Sequence, residues 1–320
     1  MTGPRLLVTG AAGFIGSTYV RNLLADPARD VRITVLDRLT YAAGLDNLDL
    51  GDPRLSFVKG DILDEPLVDS LMAGADQVVH FAAESHVDRS ITGAAPFVRT
   101  NVLGTQVLLD AALRHGTDRF IHVSTDEVYG SITEGSWSED HPLAPRSPYS
   151  ASKASGDLLA LAYHRTHGLD VRVTRCANNY GPRQHPEKVV PRFITRLLEG
   201  RTVPLYGDGL HVREWLHVDD HCAGVEAVRN HGAPGRVYHL GGGEELTNRR
   251  LTALLLAACD TDWSRVEYVE DRKGHDRRYS LDWSRARREL GYRPVRDLRT
   301  ALVETVAWYR DNPSWWKPRI

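Results

Sequence analysis

RLLVTGAAGFIG, Arg5 to Gly16, sets a short apolar run directly ahead of three glycines, and a helix-like pattern continues through Leu24. Strand, glycine turn and helix in that order bring backbone N–H groups and a helix N-terminus up to a pyrophosphate. The glycines, Gly10, Gly13 and Gly16, are spaced GxxGxxG, unlike the GxGxxG of the usual dinucleotide fingerprint. A second apolar strand, Arg32 to Leu36, ends at Asp37, about twenty residues past the last glycine, where an acid accepts from adenosine ribose hydroxyls. An acid there favours NAD over NADP, although the adjacent Arg38 is the residue type a 2′-phosphate would use.

Further along, apolar strands alternate with helical patterns: Leu55 to Val58, Gln77 to Phe81, Arg119 to Ser124 and Asp170 to Arg175. Such alternation predicts an α/β fold, a Rossmann-type doubly wound parallel sheet with helices on both faces. Phe97 to His115 reads as a long amphipathic helix, and Ser147 to Gly168 as another. After Asn178, interruptions at Pro182, Pro186, Pro191, Pro204 and Gly207 mark a smaller, mixed α/β lobe that supplies substrate-binding loops. Val237 to Leu240 is expected to rejoin the main sheet. The expected division is an NAD-binding Rossmann domain over residues 1–177, rejoined by about 215–240, interleaved with a mainly substrate-binding domain over 178–320.

Two groups of polar residues fall at the carboxyl edge of that sheet, where open α/β sheets bind ligands. Tyr149 and Lys153 stand four apart in PYSASK, on one face of the second long helix. A phenol titrates near ~10, so a tyrosine base at neutral pH needs a cation beside it, and Lys153 is placed to supply one. Thr125, Asp126 and Glu127 follow the strand RFIHV (Arg119 to Val123) in the run STDEVYG, Ser124 to Gly130. Two carboxyls whose pKa values are split divide acid and base work. Helix capping by Thr125 or Asp126, with Glu127 in the first turn, is the competing account of the same residues.

Composition narrows the field. Lys plus Arg total 40 against 42 Asp plus Glu in 320 residues, so no global charge attracts nucleic acid or an anionic membrane. The clusters Arg249 with Arg250, and Arg285 with Arg287 and Arg288, read as solvated helix faces, whereas the loop Asp271 to Arg278 reads as a ligand loop. Cys176, Cys222 and Cys259 show no disulfide or metal spacing and are expected to be core residues in a reducing, cytoplasmic setting. No apolar stretch reaches the ~18 residues of a membrane span, and no signal-peptide layout or metal site is expected. His80, His86 and His122 are expected to pack and to hydrogen-bond behind the sheet edge. Trp315 and Trp316 are expected to anchor the tail.

The ordered series TGAAGFIG, HFAAESHVDRS (His80 to Ser90), STDEVYG, SPYSASKA (Ser147 to Ala154), NNYGP (Asn178 to Pro182), EKVVP (Glu187 to Pro191), YGDG (Tyr206 to Gly209), VREWLHV (Val212 to Val218) and DRKGHDRRY (Asp271 to Tyr279) resembles the dTDP-glucose 4,6-dehydratase family over nearly the whole chain. These are nucleotide-sugar dehydratases of the extended short-chain dehydrogenase/reductase superfamily. Sister epimerases usually lack the Asp-Glu pair after the fifth strand, and its presence here turns the reading towards dehydration. Two departures stand out: Lys273 where many relatives carry proline, and Arg146 where many carry asparagine.

The resemblance implies a substrate, dTDP-glucose, a tightly bound NAD and a homodimer formed by the two long helices. It implies that Thr125 hydrogen-bonds the hexose 4-hydroxyl and that Tyr149 takes its proton while hydride leaves carbon 4 for the nicotinamide. Glu127 then takes the carbon 5 proton and Asp126 protonates the hydroxyl leaving carbon 6, before hydride returns to carbon 6. For the cofactor it implies Gly10, Gly13, Phe14, Ile15 and Gly16 at the turn, and Asp37, Arg38, Leu39 and Thr40 at the ribose. It adds Asp61 and Ile62 at the adenine, Phe81, Ala82, Ala83 and Ser85 at the nicotinamide, and Thr100, Tyr149, Lys153 and Asn179 around it. For the substrate it implies Ser85, Thr125, Asp126, Glu127 and Asn178. Beyond these come Lys188, Val189, Pro204, Tyr206 and Arg213, then Asn248, Asp271, Arg272 and His275. The rivals are an NAD-dependent UDP-hexose 4-epimerase, a dehydratase of another nucleotide sugar and, in a different class, a non-catalytic NAD-binding module.

Overall fold

Successive side chains along the first strands are buried on opposite faces, and that alternation between two cores builds the molecule. The protein is seen in a computed structural model that describes residues 3–320. Its strands are β1 (Arg5–Thr9), β2 (Arg32–Asp37), β3 (Leu55–Lys59), β4 (Gln77–His80), β5 (Arg119–Thr125) and β6 (Val171–Cys176). There follow β7 (Asn178–Tyr180), β8 (Val203–Tyr206), β9 (Val212–His217), β10 (Val237–Leu240), β11 (Glu244–Thr247) and β12 (Val266–Val269). Seven form one parallel sheet in the order β10-β6-β5-β4-β1-β2-β3. Leu6, Val8, Ile33, Val35, Val79 and Ile121 enter one core, while Leu7, Leu36, Val78 and Phe120 enter the other, as the two-residue period of a strand requires.

The first core is covered by helices Phe14–Leu24 and Val218–His231, the second by Glu65–Met72, Thr105–His115 and Pro148–His167. The expected helix Phe97 to His115 is helical from Ala95, but Val98–Gly104 widens into π geometry. A third core gathers Val190, Phe193, Trp215, Leu255, Leu302 and both tail tryptophans, which are buried as expected.

Val237–Leu240 pairs with β6, so the chain does return to the large sheet. The return starts later than the expected residue 215. Trp215, Leu216 and His217 still belong to β9, which pairs with β7 and β11 in a separate three-stranded sheet. Cys176 and Cys222 are buried, whereas Cys259 is only half-buried at the end of its helix. Arg285 is no solvated face residue: its guanidinium lies 2.7 Å from Asp140 and 3.6 Å from Glu139, with 13% of its side chain exposed.

Candidate active site

Gly10 has φ 73°, and a Cβ there would lie 2.5 Å from the Ala82 nitrogen, so the turn after β1 tolerates only glycine. No side chain caps the helix Phe14–Leu24 at Gly13, which leaves its first N–H groups facing the cavity beyond the sheet edge. Asp37, at the end of β2, is braced by the Ala12 N–H at 2.9 Å and the Leu39 N–H at 2.8 Å. Arg38 turns away from the ribose position towards Asp61 at 2.8 Å and Glu84 at 3.6 Å. An acid held in place, and an arginine already paired, fit an unphosphorylated ribose and hence NAD.

Two cavities, of about 320 and 200 Å³, adjoin along this edge and share Ser85, Glu127, Asn178, Asn179 and Lys188 in their walls. The larger takes in Gly10, Gly13, Phe14, Ile15 and Gly16, then Asp37, Arg38 and Thr40. Asp61, Ile62, Phe81, Ala82, Ala83 and Thr100 complete its far side. Thr125, Asp126, Tyr149 and Lys153 close its inner end. Into the smaller face Val189, Pro204, Tyr206, Arg213, Asn248, Arg272 and His275.

Two residues named from the resemblance fall outside both walls. Leu39 takes a left-handed φ of 57°, packs its side chain on the core and gives its N–H to Asp37. Asp271 stands behind His275, accepting from it at 2.6 Å.

The inner end is where the chemistry gathers. β5 runs straight into a 3-10 turn, Asp126–Tyr129, and Thr125 caps that turn by accepting from the Glu127 N–H at 3.3 Å. Capping and site placement thus hold for the same residues. The Thr125 hydroxyl reaches Asp126 Oδ1 at 3.2 Å, while Asp126 Oδ2 is buried without a partner. Burial, then Glu127 and Glu214, hold the Asp126 carboxyl well above the usual range. Burial also raises Glu127, but Arg213, Lys188 and Arg272 pull it back, so the two carboxyls are driven apart.

Tyr149 sits in the first turn of helix Pro148–His167, and Lys153 is one turn on. Lys153 Nζ donates to the Val123 carbonyl at 2.7 Å, which pins it at the end of β5. The expected lowering of the phenol by Lys153 does not hold: burial, followed by Glu127, pushes Tyr149 well above its ordinary value, and the effect acting the other way is the hydrogen bond with Thr125. Behind the pair, Asp157 binds Arg175 at 2.8 Å and lies 3.3 Å from His122. His80 is held by Thr9 at 2.7 Å and Thr105 at 3.1 Å, whereas His86 caps a short helix in the wall of the smaller cavity.

Lys188 is no ordinary surface lysine, for its Nζ donates to the Ser85 carbonyl at 2.6 Å and ties the small lobe to the segment after β4. Arg213 lies over Tyr279, with its guanidinium donating to the Val212 and Asp276 carbonyls. Asn178 Oδ1 is buried without a partner between the cavities, whereas Asn179 Oδ1 accepts from His221 Nδ1 at 3.0 Å.

Sequence reasoning missed Glu187, which lines both cavities, accepts from Tyr41 at 3.0 Å and lies 3.6 Å from Arg89. It also missed Tyr279, at the end of DRKGHDRRY and in the wall of the smaller cavity, and Glu214, within VREWLHV, whose charge helps to raise the Asp126 carboxyl. Only their places in those two motifs could have flagged them.

A family model described as GDP-mannose 4,6 dehydratase matches residues 7–305. A dTDP-glucose 4,6-dehydratase of Streptomyces antibioticus is 69% identical over 317 residues, spanning 98% of this chain and 94% of that protein. Among solved structures, DesIV, the dTDP-glucose 4,6-dehydratase of Streptomyces venezuelae crystallised with NAD, is similar at a TM-score of 0.97 and 60% identity. The match covers 99% of this chain and 100% of that one. A UDP-glucose 4-epimerase of Thermotoga maritima reaches a TM-score of 0.90 at 32% identity, covering 97% and 99%. Dehydratases and epimerases share this fold, so the fold alone does not separate the two activities.

Proposed function

The chain belongs to the dTDP-glucose 4,6-dehydratase family, and from that membership we propose how its own residues divide the reaction. The enzyme is an NAD-dependent hydro-lyase that converts dTDP-D-glucose into dTDP-4-keto-6-deoxy-D-glucose and water. When bound, NAD supplies a nicotinamide ring that accepts hydride from carbon 4 and returns it to carbon 6, and its positive charge favours a phenolate beside it.

Tyr149 takes the proton of the 4-hydroxyl, with Lys153 held one turn away to stabilise the phenolate. Thr125 orients that hydroxyl. Glu127, whose carboxyl burial raises while Arg213, Lys188 and Arg272 pull it back, takes the carbon 5 proton. Asp126, kept protonated by burial and by Glu127, gives its proton to the hydroxyl leaving carbon 6. Arg213, Arg272 and Lys188 meet the diphosphate, for which cationic donors suit better than neutral ones. In this reading residues 1–177, rejoined by the segment from Val218 to Leu240, carry NAD, and most of 178–320 carries the sugar nucleotide.

The single observation that carries the reading is Glu127 in the shared wall of both cavities, with the buried Asp126 carboxyl next to it in the wall of the larger. An epimerase needs no such acid and base pair, and a non-catalytic module needs none of the group. Incubation with dTDP-glucose and mass spectrometry decides: product lighter by one water supports the assignment, and an unchanged mass with altered carbon 4 stereochemistry overturns it.

The protein acts as a homodimer in this proposal. Val98 and Leu103 on one long helix and Leu158 on the next are 52%, 47% and 58% exposed, an apolar face that a second copy would cover. No helix among the described residues is long and apolar enough to cross a membrane. With three unpaired cysteines, a reducing cytoplasm is the proposed setting.

A further inference from the structure

Two imidazoles lie face to face beside the smaller cavity. His211 and His275 are stacked with ring centroids 3.7 Å apart and planes 16° from parallel. One carboxylate serves both rings: Asp271 Oδ1 is 2.6 Å from His275 Nδ1, and Oδ2 is 3.3 Å from His211 Nε2. A carboxylate that close accepts, so Nδ1 of His275 carries a hydrogen and Nε2 is the free nitrogen. His275 lines the cavity, and its one side-chain hydrogen bond among the described residues is the one to Asp271. The same three side chains bring donor atoms within 4.8 Å of one another. Parallel rings, however, run their lone pairs side by side and do not aim them at one point, so the group suits stacking and not chelation.

The charged and titratable groups facing His275 are Asp271 and Arg272 from its own loop, Arg213 from β9, His211 from the turn before β9, and Tyr206 from β8. Burial, opposed by Asp271 and reinforced by Arg213, Arg272 and His211, holds His275 down to about 4. At neutral pH the ring is therefore an uncharged imidazole that offers the cavity a lone pair. A lone pair repels a phosphate oxygen, whereas an N–H on a cationic ring makes a charge-assisted bond to it. A diphosphate diester also brings two negative charges that offset the field of Arg213 and Arg272.

We propose that His211 and Asp271 are positioning residues that fix the plane and tautomer of His275, and that His275 takes up one proton from solvent when the substrate's diphosphate binds. The proton goes to Nε2, the atom that then donates to a phosphate oxygen. His211 stays neutral because two cations would not stack at this distance, and its buried, unpartnered Nδ1 leaves it a packing surface for its neighbour. This inference rests on the dTDP-sugar reading given above.

Titration calorimetry of the holoenzyme with the phenyl ester of dTDP tests it, since that diester has no oxidisable sugar and no phosphate that titrates near neutrality. In buffers of one pH and different ionisation enthalpies, the binding enthalpy should vary with a slope of about one proton taken up. Affinity should fall by up to about tenfold per pH unit from about pH 4 upward, through neutrality, until the bound ring loses its proton. His275→Asn should bind the ester without the slope, and His211→Phe, which keeps a stacking ring, should retain it. His211→Ala should raise KM for dTDP-glucose about tenfold with kcat within about twofold. Binding without a slope in the parent enzyme, or a full slope in His275→Asn, overturns the proposal alone. An ester that does not bind overturns the substrate reading, and this proposal with it.

Discussion

Thr125 answers to two descriptions at once, cap of a 3-10 turn and wall of the reaction cavity, and the first is what delivers the second. By accepting from the Glu127 N–H it fixes the turn that sets Asp126 and Glu127 into one site instead of on opposite sides of a strand. If Glu127 is the carbon 5 base, Glu127→Gln should oxidise carbon 4, seen as reduced-cofactor absorbance, while product forms roughly 10²- to 10⁴-fold more slowly. Normal product formation in that variant would remove Glu127 from the role. Asp126 gives a pH-dependent test. Its carboxyl is raised, so the folded chain binds that proton more tightly than the unfolded chain does. Stability from this group is therefore present below the ordinary carboxylate range and drains away as pH climbs towards the raised value. Asp126→Asn cannot ionise and should therefore lose less stability than the parent as pH rises above the ordinary carboxylate range, the gap growing by up to about 1.4 kcal/mol per unit until the raised value is reached. Thermal melts of the two proteins across that range check it.

Two elements set the site's geometry by departing from ideal form. At the turn after β1, Gly10→Ala would place a Cβ against the Ala82 backbone at positive φ, at a cost of about 1–3 kcal/mol. We expect that variant to lose NAD on gel filtration and to melt lower; full retention of cofactor would show that the turn is not the pyrophosphate seat. The π segment Val98–Gly104 is the second departure. It brings Asn101 to the Glu84 backbone, accepting at 2.9 Å and donating at 3.0 Å, and to Ser152 at 2.9 Å. Thr100, in the same widened turn, thereby reaches the cofactor cavity. Apolar spacing announces a helix here, but it carries no mark of the widened turn, because one extra residue per turn shifts the pattern no more than ordinary variation does.

At the scale of the molecule, the exposed row of Val98, Leu103 and Leu158 predicts association. If two copies meet on that face, light scattering should find the parent at twice the mass of Leu158→Arg, and equal masses would overturn the proposed interface. The large sheet, the glycine turn, the place of Asp37 at the end of its strand and the one-turn spacing of Tyr149 and Lys153 were legible in the sequence. Each depends on residues within one turn, one strand or one helix, where covalent spacing dictates who is neighbour to whom. The return of the chain to β6 was legible too, but its start was not, since β9 reads like any other apolar strand. What only the tertiary structure decided are the meetings of distant segments: Lys188 with Ser85, Glu187 with Tyr41 and Arg89, and His211 under His275. It also decided the charge states. Sequence placed a lysine beside a tyrosine, but whether that phenol, or the carboxyls of Asp126 and Glu127, rise or fall depends on burial and on charges arriving from other strands. Desolvation and Coulomb energies follow distance in space, which the order of residues along the chain does not contain.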